Sequence, residues 1–486
     1  MTLLSESRWQ ILGALAACLF WLVGCDGRTD GGPERGGGAG GGGAIGAGGG
    51  AMGGAGGSVS GGGASGTGGG STGASGGGSA ASAGGGAPGG SGGGRTGASG
   101  GGTSSGAGGG QVAPPPCGGF TRKPAATASS AWVNVKPSVV RGNAILADPA
   151  IAGVFYAFVQ DGTDNPADSH LLKSTDFGQT WSQQDTMTLA GNAWGAAIDP
   201  DPKRCVGKAP CPPPVLYRAA GTAALGLWKS TDDGKTWTNL FAQHTTGTVP
   251  TPGGGTVTYP GQKNGPNDVL DFYQVLIVPD DPPNHLLVTY HYGNIVLESK
   301  DGGATWEVHT MIDGTSHYLH AFDAQTWIVM GQQFDAPSAT YRTTTGGRVG
   351  GVPSKAAWTK VDDTTHCHGG FTPFIDPVDC SFTMAGSDGI KRTTDQGATW
   401  TQLSAQNACT LVGTPNTLHA SMLFNTWGGR FDLRAPSSAP VTYTFPTPWD
   451  GAPPYGAASA FDAAHQQWVL LMTQYGGGIW RLTEPQ

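Results

Sequence analysis

An eight-residue pattern, Ser174-Thr175-Asp176-Phe177-Gly178-Gln179-Thr180-Trp181, returns at residues 230–237, 299–306 and 393–400. Each copy keeps a hydroxyl residue first, Asp third, Gly fifth, Thr seventh and Trp last. A weakened fifth copy, Arg342-Thr343-Thr344-Thr345-Gly346-Gly347, reaches its tryptophan, Trp358, only after a short insertion. The chemistry is that of a β-hairpin turn. The Asp side chain bonds turn amides, Gly supplies a positive φ, and Trp packs back onto the sheet. Successive tryptophans are 56, 69, 52 and 42 residues apart, the length of one small antiparallel sheet with its loops. The fold is therefore read as all-β and assembled from repeats.

A second element recurs, an apolar strand running into an acidic turn. It is found at Leu146-Ala147-Asp148-Pro149, Ile198-Asp199-Pro200, Val278-Pro279-Asp280, Phe322-Asp323, Phe374-Ile375-Asp376-Pro377 and Phe461-Asp462, with Met422-Leu423-Phe424-Asn425 as the seventh. The eight-residue motif resembles the Asp-box, or BNR, repeat of sialidases, xyloglucan-degrading glycosidases and sortilin-type receptors. That resemblance implies a β-propeller in which the box joins the third and fourth strands of a blade and is structural, not catalytic. Seven strands across the 370 residues from Cys117 onward give about 53 residues a blade, which favours seven blades over six or eight. Ala131-Trp132-Val133-Asn134-Val135 reads as the strand after a box, and Gly478-Ile479-Trp480-Arg481-Leu482 as a third strand. Together they complete the last blade and leave no free sheet edge.

The 117–486 propeller is preceded by two segments of other kinds. Residues 1–25 carry an apolar run, Ile11 to Val23, too short to span a bilayer comfortably and suited to a secretory signal. The run ends in Leu22-Val23-Gly24-Cys25, which resembles the bacterial lipobox. The resemblance implies lipidation of Cys25, removal of the preceding peptide and a stable membrane attachment. Residues 26–116 form a Gly/Ser/Ala-rich linker; residues 31–110 hold 44 of the 87 glycines in the chain. With almost no large apolar side chain, this stretch is expected to be disordered, a leash with an r.m.s. span of roughly 50 Å. The expected location is the bacterial cell envelope, as a membrane-anchored lipoprotein facing the periplasm or the cell surface.

The folded part holds 30 acidic and 22 basic residues, so it carries the whole net charge of −8. No Lys/Arg cluster interleaves with aromatics, which argues against nucleic acid as a partner. The expected partners are the membrane and a polysaccharide or protein ligand, on a monomeric ring with no cofactor and no metal. The pair His366 and His368 around Cys367 lacks an evident third ligand.

In propellers of the resembled kind, first strands line a central channel, and the loops entering them form one face with the second-to-third strand loops. Counting back from the acidic turns places Arg141, Trp194, Tyr273, His317, Tyr318 and Tyr455 at this channel mouth as candidate ligand-binding residues. The second-to-third strand loops add His291, Tyr292, Asp335 and Tyr475, and Asp271 lies beside Tyr273. Only three Glu occur in the folded part: Glu298 and Glu307 flank the third motif, and Glu484 sits in the tail. None reaches the mouth, and no Arg-Ile-Pro signature is present, so a sialidase is disfavoured. The expectation is a binder of glycan or protein. The enzymatic alternatives are a glycoside hydrolase of the xyloglucan-degrading type with Asp271 and Asp335 as its pair, or a polysaccharide lyase using His291 and Tyr292 with Arg141 on the uronate.

Six cysteines remain beyond the signal and the lipidation site, an even number in an exported chain. Cys205 and Cys211 share one Pro-rich insertion and are expected to bridge locally. Cys367 and Cys380 flank a first strand at 371–376 and so lie at opposite faces, about 20 Å apart. The face assignment pairs Cys367 with Cys409, and Cys117 with Cys380.

Overall fold

The computed structural model describes residues 118–125, 131–162, 168–186, 192–221, 226–242, 248–258, 271–290, 294–310, 318–331, 339–366, 372–422, 426–436, 438–449 and 454–486. They form seven four-stranded antiparallel sheets, the blades of a seven-bladed β-propeller. The inner strands are, in order, Val139–Ala147, Asn192–Ile198, Phe272–Ile277, Tyr318–Ala321, Phe374–Ile375, Ala408–Gly413 and Pro454–Asp462. Each of the first six blades uses four consecutive blade strands. The seventh takes three from the C-terminal end and its outermost, Val133–Asn134, from the start of the ring, with Val133 opposite Arg481 and Asn134 opposite Trp480. The ring thus closes as the sequence expects, by pairing its two ends.

The motif occupies the turn between third and fourth strands. Ser174 Oγ donates to Asp176 Oδ1 and accepts the Gly178 N–H at 2.9 Å. Asp176 in turn accepts the Thr180 N–H at 2.9 Å and the Thr180 hydroxyl at 2.6 Å, while the Trp181 indole N–H donates to the Gly178 carbonyl at 3.1 Å. Asp232, Asp301 and Asp395 accept the same pair of bonds from Thr236, Thr305 and Thr399. Two successive residues of each turn have positive φ, and the second is always Gly: 74° at Gly178, 80° at Gly234, 97° at Gly303 and 83° at Gly397. A Cβ there would come within 2.8 Å of Leu471, 2.2 Å of Leu171, 2.5 Å of Leu240 or 2.8 Å of Ile328, each in the preceding blade. Each turn is therefore a wedge as well as a hairpin.

In the fourth blade Thr345 stands where the other turns have Asp. The Thr343 hydroxyl still accepts the Gly347 N–H at 3.0 Å, and Thr345 donates to the Arg348 carbonyl at 2.6 Å. The insertion before Trp358 folds as a two-stranded hairpin, Arg348–Val349 with Val352–Pro353, and a 3-10 turn at Lys355–Ala357.

Two expectations are corrected. The sixth inner strand is Ala408–Gly413, not the segment ending at Asn425; Met422 closes the second strand of that blade, and Leu423 to Asn425 lie outside the described residues. Its turn was hidden because a hydroxyl replaces the carboxylate: Thr414 Oγ1 accepts the N–H groups of Asn416 and Thr417, both at 3.0 Å. The fifth inner strand is also shorter than 371–376. Pro373 has no N–H for the ladder, so pairing with Phe382–Gly386 is limited to Phe374–Ile375, and Thr372 bridges instead to Thr410 of the sixth blade.

Between blades the core is aromatic and aliphatic. Trp306 packs with Phe241, Phe272 and Tyr290 between the second and third blades, and Trp132, Phe445, Trp449 and Trp480 fill the space between the sixth and seventh. Side chains of this size contribute about 1.5–3 kcal/mol each when fully buried.

Candidate functional site

Five of the seven inner strands carry a β-bulge near their mouth end. The register slips between Val139 and Arg141, Ala193 and Gly195, Phe272 and Gln274, Ala408 and Thr410, and Pro454 and Gly456. The residues passed over are Val140, Trp194, Tyr273, Cys409 and Tyr455, so one repeated irregularity re-aims three aromatic rings at the mouth. Two glycines make room for it. A Cβ on Gly195 would lie 2.8 Å from the Tyr273 carbonyl oxygen, and one on Gly456 would lie 2.6 Å from the Ile145 nitrogen. At the axis the inner strands meet backbone to backbone.

The re-aimed rings form a continuous belt. Trp194 stacks on Tyr273 with centroids 6.3 Å apart and planes 14° apart, and meets Tyr455 at 5.9 Å. Tyr455 stacks on Tyr475 at 4.8 Å, and Arg141 lies over the Tyr475 ring at 4.4 Å while donating to its hydroxyl. At the other end His366 packs on Tyr273 at 5.7 Å. Tyr318 is buried at the head of the fourth inner strand, and burial pushes its phenol well above the ordinary range. The structure thus brings Arg141, Trp194, Tyr273 and Tyr455 together, with Tyr318 lining the channel they cover. Asp271 is buried immediately before Phe272. His291, Tyr292, His317 and Asp335 lie outside the described residues, as does Cys25.

The belt roofs a channel cavity of about 340 Å³. Its wall is mostly Ala, Ile, Leu and Val with Pro200, Pro373, Gln274, His320 and Thr372, and among the described residues no Asp, Glu, Lys or Arg lines it. Two of its polar acceptors are engaged: Gln274 Oε1 accepts the Leu319 N–H at 2.6 Å, and Thr372 Oγ1 accepts the Ala457 N–H at 3.1 Å. His320 stacks on Phe382 at 4.4 Å, and desolvation pushes its pKa down to about 3, so the ring is neutral. His320 and Gln274 were not anticipated; their period-two placement two residues from Tyr318 and Leu276 is the signal that would have found them.

All three Glu serve inter-blade joints. Glu298 accepts from His285 Nε2 at 2.8 Å and His309 Nε2 at 3.0 Å, and Arg348 of the fourth blade bridges it to Glu307. Burial works to raise the Glu298 carboxyl, but these three donors hold it far below the carboxylate range. Glu484 of the seventh blade accepts from His419 and Arg430 of the sixth at 3.1 and 2.7 Å, and from the Thr417 hydroxyl. These donors outweigh burial and bring its pKa down to about 2. Glu298, Glu307 and His309 have metal-ligand types clustered within 4.8 Å, but the Arg348 guanidinium already supplies the cation between the two carboxylates.

The joint at Glu298 reverses a rule. The residue before the motif hydroxyl is Lys173, Lys229, Arg342 and Arg392 in four blades. Lys229 and Arg342 donate to turn carbonyls of the following blade, Gly302 at 3.3 Å and Gln396 at 2.8 Å, and Lys173 pairs with Asp233 at 2.5 Å. In the third blade that position is Glu298, and Arg348 comes from the following turn to meet it.

The insertion cysteines Cys205 and Cys211 are bridged, with Cα atoms 4.6 Å apart. Cys380 and Cys409 are each disulfide-bonded, and neither partner is among the described residues; Cys117 and Cys367 fall outside them.

No protein-family profile and no curated protein matches the chain. Among solved structures it is similar to YCF48 bound to a D1 peptide, at 13% identity over 75% of this chain and 99% of that one, with a TM-score of 0.42. It is similar also to the GH74 xyloglucanase of Xanthomonas campestris, at 15% identity over 71% of this chain and 59% of that one, TM-score 0.42. A GH74 enzyme of Niastella koreensis gives 16% identity over 76% and 67% of the two chains, TM-score 0.38.

Proposed function

We propose that residues 117–486 are an exported, lipid-anchored module that binds a glycan at the channel mouth. The anchor is Cys25, the tether is the 26–116 linker, and the repeated turn is an Asp-box. The observation that carries the reading is the belt of Trp194, Tyr273 and Tyr455, raised toward the mouth by the same bulge in three blades. Stacked ring faces suit the CH faces of sugars, and also the side chains of a protein ligand. Glu298 and Glu484 are locked in buried joints and Glu307 is held by Arg348, which leaves acid–base chemistry at the mouth to Asp and His. The enzymatic reading keeps one supporting feature, Asp271 buried beside the belt strand. Incubation with a polysaccharide panel tests both. The expected result is saturable retention of a polysaccharide with no release of reducing ends or unsaturated uronates. Turnover that Asp271→Ala removes would replace binding with hydrolysis or lysis.

The remaining disulfides are proposed as Cys117 with Cys380 and Cys367 with Cys409. Gly118, next to Cys117, donates its N–H to the Pro377 carbonyl at 2.8 Å, and Arg122 pairs with Asp376 at 2.6 Å. The start of the ring therefore runs past the turn that holds Cys380. Peptide mapping without reduction is expected to recover these two pairs; a fragment joining Cys367 to Cys380 contradicts them.

A further inference from the structure

The channel under the belt is lined by apolar side chains at the end away from the mouth. Along the inner strands the channel-facing residues alternate, and the lowest of them, Leu146, Ile198, Leu276 and Ile375, form a rim on the face where the motif turns lie. Ile375 is 50% exposed, one of the few large apolar side chains of the ring left in water. Above this rim the wall includes Ala196 and Ala457, and toward the mouth it includes Trp194, Tyr273 and Tyr455. Burying an unmatched sugar hydroxyl in such a wall would cost about 1–3 kcal/mol, and the Gln274 and Thr372 side-chain oxygens, already accepting backbone amides, leave few acceptors for a sugar's several hydroxyls. A charged group would find no counter-ion among the described lining residues.

We infer that the channel is a binding site, separate from the outer face of the belt, for an uncharged ring-bearing group that enters past Ile375 and ends against the underside of Trp194 and Tyr273. An apolar cavity of roughly 150 Å³ accommodates one benzene, so the 340 Å³ here suits a two-ring group. Ring edges and faces from Tyr318 and His320 on one side and Tyr455 on the other give such a group aromatic neighbours throughout. The inference rests on reading the ring as a ligand-binding module, and it assigns the channel a ligand class that a bare sugar does not satisfy.

The test uses the full chain carrying Cys25→Ser, so that no acyl chain or detergent competes, and 1-naphthol as the neutral probe in calorimetric titration. Saturable one-to-one binding is expected, with naphthalene-2-sulfonate at least tenfold weaker and methyl β-glucopyranoside failing to compete. Ile375→Glu changes an exposed side chain and is expected to weaken 1-naphthol at least tenfold with the fold intact by circular dichroism. Ala196→Phe fills the channel and should abolish binding; if that variant does not fold, Ile375→Glu decides alone. Absence of saturable 1-naphthol binding, equal affinity for the sulfonate, or unchanged binding in Ile375→Glu overturns the inference. Polysaccharide retention that depends on Trp194 while 1-naphthol fails to bind sinks the channel site and leaves the glycan reading standing. Binding of 1-naphthol with no polysaccharide retained does the reverse.

Discussion

At the motif end of the ring, carboxylates are bound on every side: Asp176, Asp232, Asp301 and Asp395 by turn amides and hydroxyls, Glu298 and Glu484 by histidines and arginines of two blades. At the mouth end the same inner strands present Trp194, Tyr273 and Tyr455 on bulges, backed by an uncharged cavity. The contrast teaches how a propeller with this composition divides its work. Buried glutamate joints hold blade to blade at the motif end, while the mouth end, where Lys136 pairs with Asp161 and Lys391 with Asp362, also presents ring surface for recognition.

The joints should break hardest. Glu298→Ala removes the acceptor that His285 Nε2, His309 Nε2 and Arg348 share in a buried site, and is expected to cost about 3–5 kcal/mol in chemical unfolding. A loss under about 1 kcal/mol would mean that the joint is incidental. Acid probes the same end without mutation. The Glu484 pKa lies near 2 in the folded ring and about 4.3 in an unfolded chain, a difference of about 3 kcal/mol. Because the folded value is depressed, that stability is present above pH 5 and is lost as pH falls through 4 toward 2. Asp395 acts in the same direction, its pKa brought to about 2 by the Thr399 hydroxyl and amide. His285 has the opposite sign. Burial opposes its charge but Glu298 and Asp280 raise its pKa, so its contribution is full below about 6.5 and fades as pH rises beyond the folded value. Stability measured from pH 2 to 9 should therefore climb steeply to pH 5 and decline gently on the alkaline side.

At the mouth the expected effect is on affinity. Trp194→Ala should weaken polysaccharide retention at least tenfold, about 1.4 kcal/mol, and lower the unfolding midpoint less than Glu298→Ala does. Smallest is a single motif turn. Asp395→Ala removes bonds at an exposed turn and should cost about 1 kcal/mol, with retention unchanged. A larger effect on binding than on stability would place the turns in recognition and erase the contrast.

Much of the motif end was legible in sequence because a turn demands particular residue types in a row. Five of the six acidic turns have an Asp side chain accepting the N–H two residues on, as Asp148 does from Ala150. The turn at Thr414 broke the pattern by doing the same with a hydroxyl. The Glu298 joint was invisible because His285 and His309 reach it across neighbouring strands of its own blade and Arg348 across the blade boundary, and no row of residues displays those contacts. At the mouth, counting back from the turns found Trp194, Tyr273 and Tyr455, but the bulge that lifts them has no signature of its own beyond the glycine that follows in Trp194-Gly195 and Tyr455-Gly456. His320 was missed because a histidine in a short strand reads the same whether it faces a channel or a neighbouring blade.

The most direct test is one paired experiment on Trp194→Ala and Glu298→Ala, each measured for unfolding free energy and for polysaccharide retention under conditions where both are folded. The account predicts a crossed result. Trp194→Ala loses at least tenfold in retention and little stability, whereas Glu298→Ala loses about 3–5 kcal/mol and binds as the parent does. Parent-like retention by Trp194→Ala, or loss of retention by folded Glu298→Ala, would contradict it.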